Sequence, residues 1–572
     1  MTENRVAKTG LFITALLLTN TGLADVQPPD DQRVNPALIE HQATLVPGLK
    51  RLGSNVYGAE FHGYSNFGFI DTDDGVVVVD AGWFPTPTAN ALALLRKHTD
   101  KPIAAVIYTH LHPDHYGGIQ AILPESGRDI PVYGPAGWQQ WVANSQGTDQ
   151  RTFLRRAFLQ MGVVLPEGQD GTVGNGIGPS PRLEPYDALS YPPTIDVDSP
   201  MSLSIGGVDI EILPAEGDVN EHLWVWLPEE RILFVGDSPP HGVFPAVETA
   251  RFEIGRDPQL MLESVQEAID LQPNAIIPGH SRILDDPAEI QELMALTRDA
   301  IQFLIDQVDR FYLSDRSIDD LLDTLHLPPA IANHPDLQPY YHRWEWMMQQ
   351  RFLKRSGFID DWMDYLSHHA IDEARRLVPL LGGRDAVLAH SSAALDSDPR
   401  WAARLAHYVL LVDPADRDAR ILRQRASQKV AQRTTSTNQR NYLLGLIREE
   451  NAEVNFDRLL AGPVAASLNT QSTPEILSRL RTRFIAEAAD HIDIRVRVSI
   501  ADDTLDLVVV NNLLKVSWPD TEKVPDAEWQ LSRSTLIQLV SKQKTLTELL
   551  DSGDIAVAGS NSHSNQLTAL IE

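Results

Sequence analysis

Residues 109–118 read THLHPDHYGG, and this stretch decides the fold. It places three histidines and an aspartate within six positions, although the chain of 572 residues has only 18 histidines. Neutral imidazoles and carboxylates are the ligands that zinc and similar divalent ions take. Residues two apart in an extended segment share a face, so His110 and His112 can hold one ion. Asp114 and His115 follow the turn and can hold a second ion nearby.

Further ligands are expected where other buried strands begin or end. From about Val56 to Ile283, apolar runs such as GVVVVDAG and IAAVIYTH alternate with helical stretches. Polar groups at strand ends can converge on one edge of a sheet without loss of core packing. Three such residues are His222 before LWVWLP, Asp237 after RILFVG and His280 after NAIIPG. Ligands of these kinds and in this number suit two metal ions with an open position between them.

The composition narrows the class of protein. A formal net charge of −30 argues against a nucleic-acid surface, which needs a basic stripe. The chain has no cysteine, which excludes thiolate metal sites, a cysteine nucleophile and disulfides. Hydrophobic residues make up 43% and charged residues 22%, as in soluble globular proteins. At about 100–250 residues per domain, this length predicts two to four domains.

The N-terminus has the pattern of a secretory signal. Arg5 and Lys8 precede an apolar run over residues 11–18, and small residues lead to Ala24. The run is shorter than the roughly 20 residues that a transmembrane helix needs. We therefore expect residues 1–24 to be a signal peptide cleaved after Ala24, and a periplasmic or secreted protein with no stable membrane anchor. The alternative is a buried N-terminal helix.

The rest of the chain predicts two more domains. Residues 291–440 have helical spacing, with Ser317 as an N-cap and two weakly similar stretches that resemble tetratricopeptide hairpins. Beyond residue 441, IDIRVRVSI alternates apolar and polar residues, and a hairpin is predicted to turn at residues 511–512. Residues 441–572 thus predict a small α+β domain with a one-sided sheet. Its apolar face is either packed core or a groove for an alkyl chain.

The ligand motifs resemble the metallo-β-lactamase fold. Asp80, at the end of VVVVD, matches the structural aspartate of that family, and THLHPDHYGG matches its HxHxDH signature. The resemblance implies an α/β fold, a four-layer αβ/βα sandwich, over residues 25–290. It also implies two divalent metal ions, with zinc expected. The first would be held by His110, His112 and His222, the second by Asp114, His115 and His280, and Asp237 would bridge them.

Longer stretches resemble the exported alkylsulfatases of that superfamily. They are PVYGPAGWQQWV, RRAFLQMGVVLPEGQDGTVGNGIG and YYHRWEWMMQQRF. The order of domains is also similar: a catalytic domain, a helical dimerisation domain and a sterol-carrier-protein-like domain. The resemblance implies a homodimeric hydrolase that cleaves alkyl sulfate esters to alcohol and inorganic sulfate with metal-activated water. One departure is that alkylsulfatases of the best-known type often carry glutamates where this chain has His222 and Asp237.

Other residues are candidates for contact with the sulfate ester. Arg251 lies at a place that resembles a conserved arginine of alkylsulfatases, and guanidinium suits bidentate recognition of an oxyanion. Arg256 is the second candidate cation. His241 would donate a proton to the leaving alcohol or bond to the sulfate, and Asn175 would line the mouth. The predicted catalytic residues are Asp114, His241 and Arg251. Surface or turn roles are the alternatives for Arg251, His241 and Asn175.

Two other functions stay open. One is hydrolysis of phosphoesters or lactones on the same scaffold, and the other is lipid binding without catalysis. The complete ligand set argues against a non-catalytic protein. His368 and His369 are adjacent, cannot share a helix face and are interpreted as structural. The Trp and Met residues of HRWEWMMQQRF fit a helical core or a dimer contact.

Overall fold

The computed structural model describes residues 33–571, except for 126–128, 146–149, 185–190, 248–255 and 470. The predicted signal peptide and Arg251 therefore lie outside the described residues.

The N-terminal half contains two β-sheets. The first comprises β1 (Gly48–Leu52), β2 (Val56–Glu60), β3 (Phe67–Thr72), β4 (Gly75–Val79), β5 (Ile103–Ile107), β6 (Val132–Pro135) and β7 (Ile195–Val197). They lie side by side in chain order, antiparallel from β1 to β4 and parallel from β4 to β7. The second comprises β8 (Met201–Ile205), β9 (Val208–Pro214), β10 (Leu223–Leu227), β11 (Ile232–Gly236) and β12 (Ala275–Pro278). Its order is β12-β11-β10-β9-β8, and within it β11 and β12 are parallel.

The two sheets pack face to face, and helices cover their outer faces. The helices of this part are α1 (Pro36–Thr44), α2 (Pro85–Leu95), α3 (Pro113–Tyr116), α4 (Trp138–Ser145), α5 (Gln150–Gln160), α6 (Pro258–Leu271) and α7 (Pro287–Tyr312). Val77 and Ile107 of the first sheet share a buried cluster with Val225 and Phe234 of the second. Helix α2 packs on the outside of the first sheet, and α6 and α7 pack on the outside of the second. The predicted αβ/βα sandwich is confirmed.

A helical region follows. Its helices are α8 (Ile318–Thr324), α9 (Pro329–Ala332), α10 (Trp344–Ser356), α11 (Trp362–Tyr365), α12 (Ala370–Leu380), α13 (Arg384–Ala394), α14 (Pro399–Val412), α15 (Arg417–Arg433), α16 (Thr437–Glu450), α17 (Phe456–Leu468) and α18 (Thr473–Ser478). Ser317 caps α8 in a capping box, as predicted. Helices α13, α14 and α15 pack on one another in sequence like stacked hairpins. Met347 and Met348 of α10 are buried core residues, whereas His368 and His369 are exposed.

The C-terminal region is the predicted α+β unit. It contains β13 (Ile494–Ile500), β14 (Asp503–Val510), β15 (Leu513–Ser517), β16 (Ala527–Leu531), β17 (Ile555–Gly559), α19 (Arg533–Val540), α20 (Leu546–Asp551) and α21 (Asn561–Ile571). The strands form one sheet in the order β15-β14-β13-β16-β17. The β14–β15 hairpin turns at Asn511 and Asn512, whose φ angles of 51° and 56° suit a type I′ turn.

The apolar face of this last sheet is packed core. Alternate residues of β13 are buried in a cluster that includes Leu536 of α19 and Leu567 of α21. The same cluster continues into the sandwich through Phe158 and Tyr64. Among the described helices, none has the length and apolar character needed to cross a membrane.

Candidate metal centre

The histidine-rich stretch leaves the end of β5 and turns into a single helical turn. His110 forms an isolated antiparallel bridge with His222, which ties the stretch to the edge of the second sheet. His112 keeps an extended backbone just before α3, and a proline at the first position of α3 favours the helical turn. Asp114 and His115 follow within that turn. The local fold thus presents the extended pair and the turn pair side by side, as their spacing predicts.

The other predicted ligands come from neighbouring strands of the second sheet. Asp237 directly follows β11, and His280 lies two residues beyond β12. His222 directly precedes β10, which runs antiparallel to β11. The end of β11, the end of β12 and the start of β10 therefore meet at one edge, so all three side chains reach the histidine-rich stretch.

Two buried groups each offer three ligand atoms that lie within 4.8 Å of one another. They are His110, His112 and Asp237, and Asp114, His115 and His280. Asp237 stands between the groups. Its Oδ1 is 3.4 Å from Nε2 of His115, and its Oδ2 is 3.2 Å from Nε2 of His280. The same Oδ2 is 3.7 Å from Nε2 of His110. The Asp237 carboxylate therefore lies within 3.7 Å of histidines from both groups, and its predicted bridging role stays a prediction.

The donor set fits divalent metal ions. His115 Nε2 and Asp237 Oδ1 are buried and have no hydrogen-bond partner among the described residues, although they lie only 3.4 Å apart. A buried polar atom without a partner costs about 1–3 kcal/mol, and a cation between these atoms would satisfy both. Imidazoles and carboxylates without thiolates suit zinc and its neighbours, so the residues present fit the implied metals.

His222 is placed differently from the other predicted ligands. Its ring lies beside that of His110, with centroids 5.0 Å apart, and its Nε2 accepts a hydrogen bond of 3.0 Å from the Asp237 backbone N–H. Its Nδ1 is buried without a hydrogen-bond partner among the described residues. In this geometry Asp237 completes the first group, and a metal bond from His222 stays a prediction.

Burial and opposite charges together set the protonation of the metal-free site. Burial opposes ionisation of Asp114, but His115 and His280 hold its pKa well below the usual range. Burial lowers the pKa of His280, yet Asp237 and Asp114 raise it to about 10. Burial, with a smaller contribution from neighbouring histidines, outweighs the effect of Asp237 and lowers the pKa of His222 to about 3. His280 therefore carries a proton at neutral pH that a bound metal would displace.

Asp80 orients the second group of ligands from behind. It follows β4 with a φ of 63°, in the left-handed region that aspartate tolerates better than most residues. One carboxylate oxygen accepts the Thr109 N–H at 2.8 Å, and the other lies 2.8 Å from Nδ1 of His115. Because Nδ1 of His115 is engaged, its Nε2 is turned towards Asp114 and Asp237.

A support that sequence analysis missed is the Tyr64-Ser65-Asn66 segment between β2 and β3. The Tyr64 carbonyl is 2.8 Å from Nδ1 of His280, and the Ser65 hydroxyl donates to Asp114 at 3.0 Å. Asn66 donates to two backbone carbonyls on either side of His280, at 2.9 and 2.7 Å. In the sequence, the polar pair Ser65-Asn66 between two aromatic residues could have indicated this segment.

The phenol of Tyr64 is itself beside the centre. Its ring lies 4.7 Å from that of His280, and its hydroxyl is 3.3 Å from the hydroxyl of Tyr341 in the helical region. Burial raises the pKa of Tyr64 well above its usual range, and Tyr341 and Asp114 add to the shift. The phenol is therefore protonated at neutral pH.

Asn175 and His241 are both buried. Asn175 donates to the Met161 carbonyl at 3.3 Å, and its loop is fixed by the Ser281 N–H, which donates to the Ile177 carbonyl at 2.8 Å. Burial lowers the pKa of His241 to about 4, and its Nε2 has no hydrogen-bond partner among the described residues. Their predicted roles in catalysis and substrate binding stay predictions.

Arg256 supports the first group of ligands. It is buried and forms an ion pair with Asp218, whose Oδ2 is 3.9 Å from Nδ1 of His112. Its guanidinium also donates to the Ala246 carbonyl at 3.3 Å. These contacts place Arg256 behind His112 and connect two loops at this edge of the sandwich.

Three family models match successive stretches of the chain. Residues 62–280 match the metallo-beta-lactamase superfamily, residues 317–452 match alkyl sulfatase dimerisation, and residues 464–572 match alkyl sulfatase C-terminal. Together they follow the order of the sandwich, the helical region and the last sheet.

Characterised relatives cover most of the chain. A linear primary-alkylsulfatase from Pseudomonas sp. is 27% identical over 73% of this chain and 80% of its own. An (R)-specific secondary-alkylsulfatase from Pseudomonas sp. is 23% identical over 94% of this chain and 83% of its own. The solved structure of the stereoselective inverting sec-alkylsulfatase Pisa1 from Pseudomonas sp. superposes with a TM-score of 0.75 at 21% identity, over 96% of this chain and 88% of that one. The last similarity shows the shared fold.

Proposed function

Because the chain belongs to the metallo-β-lactamase-fold alkylsulfatases, we propose that it is a dinuclear-metal hydrolase that cleaves alkyl sulfate esters. In the reaction, water and the ester give the alcohol and hydrogen sulfate. The observation that carries the proposal is the pair of three-ligand groups joined at Asp237 in a chain with both alkyl sulfatase accessory domains.

The chain's own residues prepare the site for two ions. When bound, divalent ions supply Lewis acidity that lowers the pKa of water to about 7 and offsets charge on the ester. Asp237 holds the two groups of ligands at a fixed separation. Asp80 and the Tyr64 carbonyl each engage the Nδ1 of one histidine, which directs the Nε2 of His115 and His280 to the metal side. We propose zinc because imidazole and carboxylate are its usual ligands.

Sulfate release tests this function directly. Purified protein, depleted with a chelator and reloaded with zinc, is incubated with dodecyl sulfate and with a secondary alkyl sulfate. We expect zinc-dependent release of inorganic sulfate and two zinc ions per chain. Turnover of a phosphodiester or a lactone with no sulfate from either ester would replace this function with the corresponding hydrolase. Saturable lipid binding with no turnover at all would favour the non-catalytic alternative.

Export belongs to the same proposal. The charged start at Arg5 and Lys8, the short apolar run and the small residues before Ala24 support a signal peptide cleaved after Ala24. A chain without cysteine is compatible with an oxidising compartment, because it has no thiol that could be oxidised or form an incorrect disulfide. Mass spectrometry of protein from the periplasm should give Asp25 as the first residue.

A homodimer is the proposed assembly, and one exposed segment is the proposed contact. The segment Gly357–Leu366 lies inside the stretch that matches alkyl sulfatase dimerisation. Phe358, Trp362 and Tyr365 expose 80, 85 and 75% of their surface, and a groove of about 760 Å³ lies beside them. Large apolar surfaces of this kind mark interaction sites, and a second copy of this chain is the partner that the matched family indicates.

Removing apolar surface from this segment should dissociate the dimer. In Trp362→Ser/Tyr365→Ser we expect a monomer by sedimentation at concentrations where the wild type is a dimer, because two large apolar side chains are lost from the contact. Trp518→Ser is the matched control, since Trp518 is 64% exposed but lies on the C-terminal domain. A double variant that stays dimeric would place the interface elsewhere.

A further inference from the structure

A chain of three polar side chains leads from the domain junction to the metal centre. Gln160, at the end of α5, donates from Nε2 to the Tyr341 hydroxyl at 3.0 Å. The Tyr341 hydroxyl is 3.3 Å from the Tyr64 hydroxyl. All three residues are buried, and Tyr341 comes from the helical region that follows the sandwich. The centre is therefore supported by a residue from outside the sandwich.

The donor in each of these hydrogen bonds determines whether the Tyr64 O–H can bond to another group. Gln160 donates to the Tyr341 hydroxyl, and in the contact between the Tyr341 and Tyr64 hydroxyls either oxygen can be the donor. When Tyr341 is the donor, Tyr64 keeps its own O–H for a third group. The 3.3 Å separation is longer than the usual 2.5–3.0 Å between hydroxyl oxygens, so this contact is a weak hydrogen bond.

Tyr64 is also anchored to the second group of ligands. Its carbonyl is 2.8 Å from Nδ1 of His280, its ring lies 4.7 Å from the His280 ring, and the next residue, Ser65, donates to Asp114 at 3.0 Å. The position of the phenol relative to the centre is therefore set by its own backbone, by ring packing and by Tyr341. Such a preorganised donor costs little to align during a reaction.

Hydrolysis of a sulfate ester builds negative charge on its bridging oxygen. If the S–O bond breaks, the electron pair stays on that oxygen as it leaves with the alcohol. If the C–O bond breaks, the pair stays on the same oxygen as it leaves with the sulfate. A fixed donor to this oxygen helps in both cases.

We propose that Tyr64 is a catalytic residue that donates a hydrogen bond from its phenol to the bridging oxygen of the ester, and that Tyr341 is a positioning residue for it. The phenol keeps its proton throughout, so the products remain the alcohol and hydrogen sulfate. This inference rests on the proposed function. It assigns a role to a contact between the helical region and the sandwich that metal binding alone does not require.

The test compares Tyr64→Phe, Tyr341→Phe and the double variant in the full-length, zinc-loaded protein with dodecyl sulfate and a secondary alkyl sulfate. We expect Tyr64→Phe to lower kcat about 10²-fold, the effect of losing one preorganised donor, with KM changed less than about threefold. Tyr341→Phe should lower kcat about tenfold, and the double variant should match Tyr64→Phe because both act through one hydroxyl. Tyr57→Phe, a buried tyrosine elsewhere in the first sheet, should keep wild-type activity.

Zinc content and melting temperature are measured on every variant. Two zinc ions and an unchanged melting temperature in Tyr64→Phe, together with the loss of kcat, would support the role. Wild-type kcat in Tyr64→Phe would overturn it. Loss of zinc in that variant, or a double variant as impaired as the product of the single losses, would make the contact structural and would also overturn it. If Tyr64→Phe does not fold, an unaltered kcat in Tyr341→Phe overturns it. If the wild-type protein releases no sulfate, the proposed function itself is wrong, whatever the variants show.

Discussion

Replacing His112 with alanine should remove one of the two proposed metal ions and slow sulfate release by about 10³-fold or more. Among the described residues, His112 offers one of the three ligand atoms of the first group, beside His110 and Asp237. With two ligands left, the first ion is lost, and with it several kcal/mol of stabilisation at the reacting ester. A loss of about 4 kcal/mol corresponds to the stated 10³-fold. Zinc content by elemental analysis and sulfate release at saturating ester measure the two effects.

The choice of His112 separates ligand loss from misfolding. His112 lies just before α3 rather than within a strand, and its side chain is 11% exposed. An unchanged melting temperature of the variant would show that truncation leaves the fold intact. His407→Ala is the matched control, because His407 is a partly buried histidine of the helical region and far from the predicted ligands in sequence. A His112 variant that keeps two zinc ions and full activity would show that the first group does not hold a metal.

The sandwich and the convergence of the ligands could be predicted because both follow from local patterns. Continuous apolar runs mark β4, β5, β10 and β11 as strands buried on both faces, and their polar neighbours fall at strand ends. Once β10, β11 and β12 are adjacent, His222, Asp237 and His280 must meet at one edge. The spacing within residues 109–118 then places them opposite the histidine-rich stretch.

The supports of the site could not be predicted, because they depend on contacts between distant parts of the chain. Tyr64 and Ser65 touch His280 and Asp114, which are respectively 216 and 49 residues away. Nothing in the sequence near Tyr64 marks a partner for its hydroxyl, since that partner is Tyr341, 277 residues later. Local patterns predict which face of a strand is buried, but not which loop packs behind it.

Arg256 shows that the role of a charged residue also depends on contacts with distant parts of the chain. Its sequence context suggested a cation for sulfate, whereas the structure buries it at 4% exposure against Asp218. The carboxylate that decides its role lies 38 residues earlier, in a loop without any motif. A buried guanidinium needs such a partner, so its function follows from the tertiary contact rather than from its neighbours in sequence.

The junction between regions also depends on tertiary contacts. Arg440 of α16 is fully buried and donates to backbone carbonyls of Arg33, Ala431, Gln169 and Gly171. These bonds connect the N-terminal segment, the 166–171 loop and the helical region, and they fix the surface from which Tyr341 reaches the centre.

Asp237→Ala should have a larger effect than His112→Ala, because Asp237 contacts both groups of ligands. Its carboxylate oxygens lie 3.7, 3.4 and 3.2 Å from Nε2 of His110, His115 and His280. Without it, each group loses an anionic neighbour, and His115 and His280 lose a charge that raises their pKa. We expect loss of both zinc ions and a decrease in sulfate release of about 10⁴-fold, near 5 kcal/mol. Asp309→Ala, which removes a carboxylate paired with Arg351 in the helical region, should retain both ions.

The Asp237→Glu variant tests whether the charge or the position of the carboxylate is decisive for metal binding and activity. The Asp237 carboxylate lies against the backbone of Gly279, where an added Cβ would come within 2.3 Å of Oδ1. An extra methylene therefore has no room to extend without moving the carboxylate by about 1 Å, a displacement that can cost roughly 10²-fold in rate. We expect Asp237→Glu to keep at least one zinc ion but to release sulfate about 10²-fold more slowly. Wild-type activity would mean that the site adapts to either carboxylate, and loss as complete as in Asp237→Ala would mean that charge alone contributes nothing.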